Sequence, residues 1–261
     1  MPDRTLAVVT GASSGIGLEL ARCAAEDGCD LVICADEAEI ENAARTLRGF
    51  GVAVEVVRAD LSTEDGVLAL WHHVGEREVD YLMANAGLTL GHRFVEEEWP
   101  RIDEMIGLNV RGTTLLLHRA LARMAVRGEG RVLVTGSIAG FMPGSKQAVY
   151  NATKAYLNSL SFALNDEMKE KGVTVTCLMP GLTDTDIFDR GDMEDTPAGQ
   201  TRAKADPADV ARAGYDAMKA GKAGMTPGLV NKLITTFAGV LPEPLLARMN
   251  RLLSEPADDK A

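Results

Sequence analysis

The chain is 261 residues long, 46% hydrophobic, and carries 27 Lys plus Arg against 38 Asp plus Glu, a net charge of −11. That length suits one large domain or two small ones with a substantial core, and the negative balance repels polyanions, which excludes nucleic acid as an expected partner. The four cysteines, Cys23, Cys29, Cys34 and Cys177, form no C-x-x-C pair, and a strand-like run begins too near the N-terminus to leave room for a signal peptide, so a reduced, cytoplasmic protein is expected.

The elements follow in chain order. "LAVVT" from Leu6, "DLVICA" from Asp30, "VAVEVV" from Val52, "VDYLMAN" from Val79, "GRVLVTG" from Gly130 and "GVTVTCLM" from Gly172 are short apolar runs of the kind buried on both faces of a parallel sheet. Between them lie helical periods such as "GIGLELARCAAEDG" from Gly15 and "EAEIENAARTLRGFG" from Glu37, which stop at glycines. The alternation predicts an α/β fold: a single Rossmann-type domain over 1–261, a doubly wound parallel sheet of about seven strands with helices on both faces. His72 and His73 are adjacent, point to different sides of a helix and have no carboxylate at ligand spacing, so no metal is expected. Uncharged stretches such as Val132–Ser145 reach only about 14 residues against the ~20 of a membrane span, so no membrane contact is expected.

The first strand runs into Thr10-Gly-Ala-Ser-Ser-Gly-Ile-Gly17 and then directly into a helix. Glycines allow a sharp turn and close approach of a pyrophosphate, and the N–H groups at a helix start attract its charge. Asp36 ends the second strand about 20 residues beyond, where a carboxylate accepts hydrogen bonds from the ribose hydroxyls of an adenosine. A 2′-phosphate ~4 Å from Asp36 is repelled by about 4 kcal/mol per unit charge at an effective dielectric near 20. Glu37 follows with no Arg or Lys beside it, so NAD(H) is expected over NADP(H).

Together with these features, Asp60-Leu61, Asn85-Ala-Gly87, Asn109, Ser137, Tyr150-x-x-x-Lys154 and Pro180-Gly-Leu-Thr183 occur in one order across roughly residues 5–185. In this the sequence resembles the short-chain dehydrogenase/reductase family. The resemblance implies a nicotinamide cofactor held by Gly11, Ser13, Ser14, Gly15, Ile16, Gly17, Asp36, Asp60, Leu61, Asn85, Ala86, Gly87, Tyr150, Lys154, Pro180, Gly181, Thr183 and Thr185. It also implies a catalytic set of Asn109, Ser137, Tyr150 and Lys154. One position departs: Met-Ala-Asn-Ala-Gly has Ala84 where many relatives carry a further asparagine, removing a side-chain bond between strands at small expected cost.

Tyr150 and Lys154 share one helical face. Oxidation of an alcohol releases its hydroxyl proton as hydride leaves carbon, and reduction reverses both, so a group that holds a proton is needed at the oxygen. Tyr150 fills that role in the resemblance. Its phenol, ordinarily near pKa 10, is expected to be lowered by the Lys154 ammonium and by a positive nicotinamide. Lys154 is also expected to bind the nicotinamide ribose, Ser137 to orient the substrate oxygen, and Asn109 to hold a water linking Lys154 to solvent.

After Pro180-Gly181 the pattern loosens. Residues 182–205 read as a substrate lid and 225–261 as a variable region for substrate choice or oligomer contacts, with Leu245, Leu246, Met249, Leu252 and Leu253 on one helical face. The expected reaction is hydride transfer between NAD(H) and a secondary alcohol or ketone on a small to medium, largely apolar substrate. A catalytically silent NAD-binding regulator and a same-fold epimerase or dehydratase stand as alternatives. The resemblance further implies a homodimer or homotetramer assembled through helices near 97–125 and 150–170.

Overall fold

The computed structural model describes residues 4–185, 191, 195–201, 204–229, 231–233 and 242–254. Among the described residues seven strands form one sheet: β1 (Leu6–Thr10), β2 (Asp30–Ala35), β3 (Val54–Arg58), β4 (Tyr81–Ala84), β5 (Gly130–Thr135), β6 (Val173–Leu178) and β7 (Gly224–Met225). Their order is β3-β2-β1-β4-β5-β6-β7 and every pairing is parallel. Parallel neighbours require a crossover each, and helices supply them: α1 (Gly15–Glu26), α2 (Ile40–Arg48), α3 (Glu64–Val74), α4 (Trp99–Ile106), α5 (Thr113–Arg127) and α6 (Ala148–Lys169). Beyond β6 come the short α7 (Pro197–Gln200), then α8 (Pro207–Lys219) and α9 (Glu243–Ser254). The expected α/β domain is the one observed.

Side-chain alternation along the strands divides the core in two. Ala7, Val9 and Ile33 meet Leu20, Leu47 and Tyr215 on one side of the sheet. Leu6, Val8 and Val32 meet Leu70, Trp71, Leu117 and Leu157 on the other. Val8 and Val9 are both completely buried, and each contributes about 1.5–3 kcal/mol by leaving water. This two-sided burial is why the strand sequences read as unbroken apolar runs. The two-residue β7 carries no such signal; it exists because Met179 and Cys177 extend β6's ladder to Met225 and Ala223.

Three sequence-level readings find their place in this frame. His72 and His73 are exposed on α3, where His73 Nε2 lies 2.7 Å from Glu55 Oε2. The long helix between β4 and β5 is interrupted: a π-helical turn, Gly107–Gly112, separates α4 from α5. Of the apolar face on α9, Leu246 is buried, and the side chains of Leu245, Met249, Leu252 and Leu253 lie outside the described residues.

Candidate active site

A cavity of about 430 Å³ opens at the carboxyl ends of the strands, where the order reverses between β1 and β4. Ligands of open α/β sheets bind at such a switch point. Gly11 takes φ +65° and Gly15 φ +54°, both in the left-handed region. A Cβ on Gly11 would sit 2.8 Å from Ala86 Cα, so only glycine lets the loop after β1 pass the loop after β4. Gly17 is buried beneath the loop and does not line the cavity; a Cβ there would fall 2.0 Å from Gly11 O. Ser14 begins α1 without a side-chain cap bond, unlike Thr63 and Asp206, which accept from Gly66 N and Ala208 N. The first N–H groups of α1 therefore keep their attraction for an anion.

Polar side chains lace the strand ends together. Thr10 Oγ1 accepts from Asn85 N at 3.0 Å and Ala86 N at 3.1 Å. Thr135 Oγ1 donates to Asn85 Oδ1 at 3.0 Å, and Asn85 Nδ2 reaches Gly11 O at 3.4 Å. Asn85 thus spans β1, β4 and β5, supplying the tie that Ala84 does not.

At the end of β2, Asp36 stands exposed on the cavity rim, and Ser13 Oγ donates to Glu37 Oε2 at 2.8 Å. The third strand brings in a cation that sequence order concealed. Arg58 Nε donates to Asp36 O at 2.8 Å, so Asp36 does have an arginine beside it in space.

The opposite wall carries Ser137, Tyr150 and Lys154. Ser137 follows β5 and is buried; its Oγ accepts from Ala139 N at 3.1 Å and donates to Pro180 O at 3.5 Å. Lys154 is buried one turn after Tyr150, and its Nζ donates to Thr135 O at 2.9 Å. That ammonium lies 5.8 Å from the centre of the Tyr150 ring. Burial pushes the Tyr150 phenol up, and the nearby Ser137 hydroxyl only partly offsets this. Burial likewise draws Lys154 down from 10.5 to about 8. Desolvation, which disfavours the charged form of both groups, outweighs the lowering of the phenol expected from Lys154.

Asn109 does not line the cavity. The π-helical turn carries it inward, fully buried, where Oδ1 accepts from Leu88 N at 2.9 Å and Nδ2 donates to Leu88 O at 2.8 Å and Thr153 Oγ1 at 3.0 Å. It fastens the loop after β4 to α6 beside Lys154: a Cβ built on Gly87 would lie 3.3 Å from Asn109 Oδ1 and 3.4 Å from Lys154 Nζ. Asp60, Leu61, Gly87, Pro180, Gly181, Thr183 and Thr185 all line the same cavity. The glycine-lined trough, the helix start and the carboxylates at the far end fit a dinucleotide.

Several participants went unread in the sequence. Asn158 brackets the Ser137 backbone, its Nδ2 donating to Ser137 O at 2.9 Å and its Oδ1 accepting from Ser137 N at 3.3 Å. Its position four residues after Lys154 was the available signal. Gln147, which immediately precedes α6, also lines the cavity, as do Thr89 and Asn250, which no local spacing announces.

This architecture and this constellation define a class. A model of the short chain dehydrogenase family matches residues 5–195, and the chain belongs to the short-chain dehydrogenase/reductase family of oxidoreductases. It is 33% identical over 218 residues to an uncharacterized oxidoreductase of Staphylococcus saprophyticus, covering 82% of this chain and 91% of that one. Against dehydrogenase/reductase SDR family member 4 of Bos taurus the identity is 34%, over 78% and 74% of the two chains. Among solved structures, a short-chain dehydrogenase from Sphingobium yanoikuyae in complex with NADPH superposes with a TM-score of 0.81 at 29% identity, covering 90% and 94%. The bulky-bulky ketone specific alcohol dehydrogenase from Comamonas testosteroni gives a TM-score of 0.77 at 28% identity over 90% and 93%.

Proposed function

We propose that the protein is an NAD-dependent oxidoreductase that interconverts a secondary alcohol and a ketone on a small to medium, largely apolar substrate, with Tyr150 as proton donor and acceptor. The observation that carries this reading is the meeting of Ser137, Tyr150 and Lys154 on one wall of the cavity whose other end is the glycine loop. When bound, a nicotinamide supplies or accepts the hydride and, in its oxidised form, brings positive charge to this wall. Gly11, Ser13, Ser14, Gly15, Ile16, Asp36, Asp60, Leu61, Asn85, Ala86, Gly87, Pro180, Gly181, Thr183 and Thr185 hold the dinucleotide, with Gly17 shaping the loop from below.

Ser137 orients the substrate oxygen against the Tyr150 hydroxyl, which lines the same cavity. Tyr150 takes the alcohol proton in oxidation and returns it in reduction. Lys154 stands within reach of the phenol face and holds its charge against Thr135 O; Asn109 positions Lys154 and the loop at Gly87. The segment 182–205, of which Leu182, Thr183 and Thr185 line the cavity, is proposed as the substrate lid. The ends of this segment are joined by Ala205 N to Leu182 O and Asp184 N to Ala205 O, each at 2.9 Å; residues 186–190, 192–194 and 202–203 lie outside the described residues.

NAD is favoured by the paired carboxylates of Asp36 and Glu37, which repel a 2′-phosphate. The Arg58 guanidinium, bonded to Asp36 O, moderates that repulsion without removing it. Nicotinamide absorbance followed with NAD(H) and NADP(H) over a panel of alcohols and ketones tests reaction and cofactor together. A kcat/KM for NAD(H) at least tenfold above that for NADP(H) is expected, narrowing or inverting in Asp36→Ala; a preference for NADP(H) in the unaltered protein overturns the cofactor reading.

A further inference from the structure

We infer that the substrate carries a second, uncharged oxygen near the reacting carbon, recognised by Thr89, Gln147 and Asn250. This rests on the alcohol–ketone reading above and names the substrate class more narrowly. The wall around the reacting position is largely apolar, with Leu88, Leu108, Met142 and Leu182 lining it. Three polar side chains interrupt it, one from each of three distant parts of the chain. Gln147 occupies the N-cap position of α6, three residues before Tyr150, and its Nε2 donates to Thr89 Oγ1 at 3.4 Å. Asn250 of α9 donates from Nδ2 to Ser145 O at 3.2 Å, two residues from Gln147. Thr89 and Asn250 are buried, 3% and 6% exposed.

Buried amides and hydroxyls are retained where they meet polar partners. A carboxamide beside a hydroxyl offers donors and acceptors together, so it accepts a hydroxyl or a carbonyl oxygen equally well. The long Asn250–Ser145 connection, 105 residues apart in sequence, makes α9 part of this subsite and places substrate choice partly in the C-terminal region. Charge narrows the class further. Among the described residues lining the cavity the carboxylates are Asp36, Glu37, Asp60 and Glu104, and the cation is Lys154. Asp36, Glu37 and Asp60 stand at the dinucleotide end, so it is the apolar lining of Leu88, Leu108, Met142 and Leu182, which strips a charged group of its hydration, that disfavours a substrate bearing its own carboxylate and not a hydroxyketone or a diol.

Three ketones of equal chain length separate these properties: 2-pentanone, 3-hydroxy-2-pentanone and 4-oxopentanoate, each reduced with NADH and with NADPH. The expected order in kcat/KM places the hydroxyketone roughly tenfold above 2-pentanone and 4-oxopentanoate roughly tenfold below it. Intrinsic reactivity differs between these ketones, so the decisive quantity is how the hydroxyketone to 2-pentanone ratio changes between protein forms. In Gln147→Leu and in Thr89→Val that ratio falls toward one, chiefly through KM. A ratio unchanged in both variants, or 4-oxopentanoate as the best of the three, overturns the inference and leaves the alcohol–ketone reading standing. If all three ketones and their alcohols fail while the dinucleotide still binds, both readings fall.

Discussion

Tyr150 and Lys154 are held where burial favours the neutral form of each: the phenol above its ordinary value of 10 and the ammonium down at about 8. Because the phenolate fraction grows as pH approaches a raised pKa from below, kcat/KM for alcohol oxidation is expected to climb steadily from pH 7 to pH 10. Reduction, which consumes the protonated phenol, is expected to be fastest at neutral or lower pH. A pH profile measured in both directions checks the opposing slopes. Tyr150→Phe keeps the ring and removes the proton, so kcat falls about 10²–10⁴-fold while dinucleotide binding, read by fluorescence titration, persists. Survival of full turnover in that variant removes Tyr150 from the reaction. Ser137 is held just as firmly, clasped by Asn158 from one side and by Ala139 N from the other.

The elements that matter most are those whose ends come too close for an ordinary side chain. Helix α1 approaches the loop after β1 so tightly that a Cβ on Gly17 would collide with Gly11 O at 2.0 Å and crowd Asn85 Nδ2 at 2.5 Å, and the Gly11 backbone leaves little room to adjust. Gly17→Ala is expected to cost roughly 3 kcal/mol, a Tm drop on the order of 10 °C in thermal unfolding, with a parallel loss of dinucleotide affinity. The π-helical turn plays a comparable part for Asn109. Without its inserted residue the register of the long helix would carry that amide to a different face, away from Leu88 and Thr153. A sequence shows which residue lies in a helix but not that the helix widens by one residue beneath it.

The whole molecule is fastened behind the sheet as well as at the site. Tyr215, fully buried on α8, donates from its hydroxyl to Asp27 Oδ2 at 3.0 Å, and Lys219 pairs with the same carboxylate at the end of α1. The Lys219 bond is the main reason Asp27 sits below its ordinary value of 3.8. A depressed carboxyl pKa means that the unfolded chain binds the proton first as pH falls. This contribution is complete at neutral pH, begins to fade near the unfolded value of about 4 and is gone below the folded one. Asp27→Asn is therefore expected to unfold at lower urea concentration at pH 7 and to show a shallower loss of stability between pH 5 and pH 3. On the outer surface, Tyr156 and Phe162 of α6 are 39% and 41% exposed, and Tyr156 OH lies 3.0 Å from Thr114 Oγ1 of α5. We propose this α5–α6 face as the contact of a homodimer or homotetramer; sedimentation is expected to show that assembly and to show smaller species for the Tyr156→Glu, Phe162→Glu double variant.

The alternation of two-sided apolar strands with one-sided helices was enough to determine the doubly wound sheet, since each run has only one way to bury what it carries. The glycine loop, the acidic end of β2 and the Tyr150–Lys154 pair were legible for the same reason: their chemistry depends on spacing within a single turn or helix. What only the tertiary structure decided depends on residues far apart in the chain. Arg58 reached Asp36 from the next strand, Asn85 joined three strands at once, Asn109 turned inward, and Gln147, Thr89 and Asn250 met across one cavity wall. Desolvation belongs to this second group, because the burial that moved Tyr150 up and Lys154 down is a property of everything packed around them and of no local pattern.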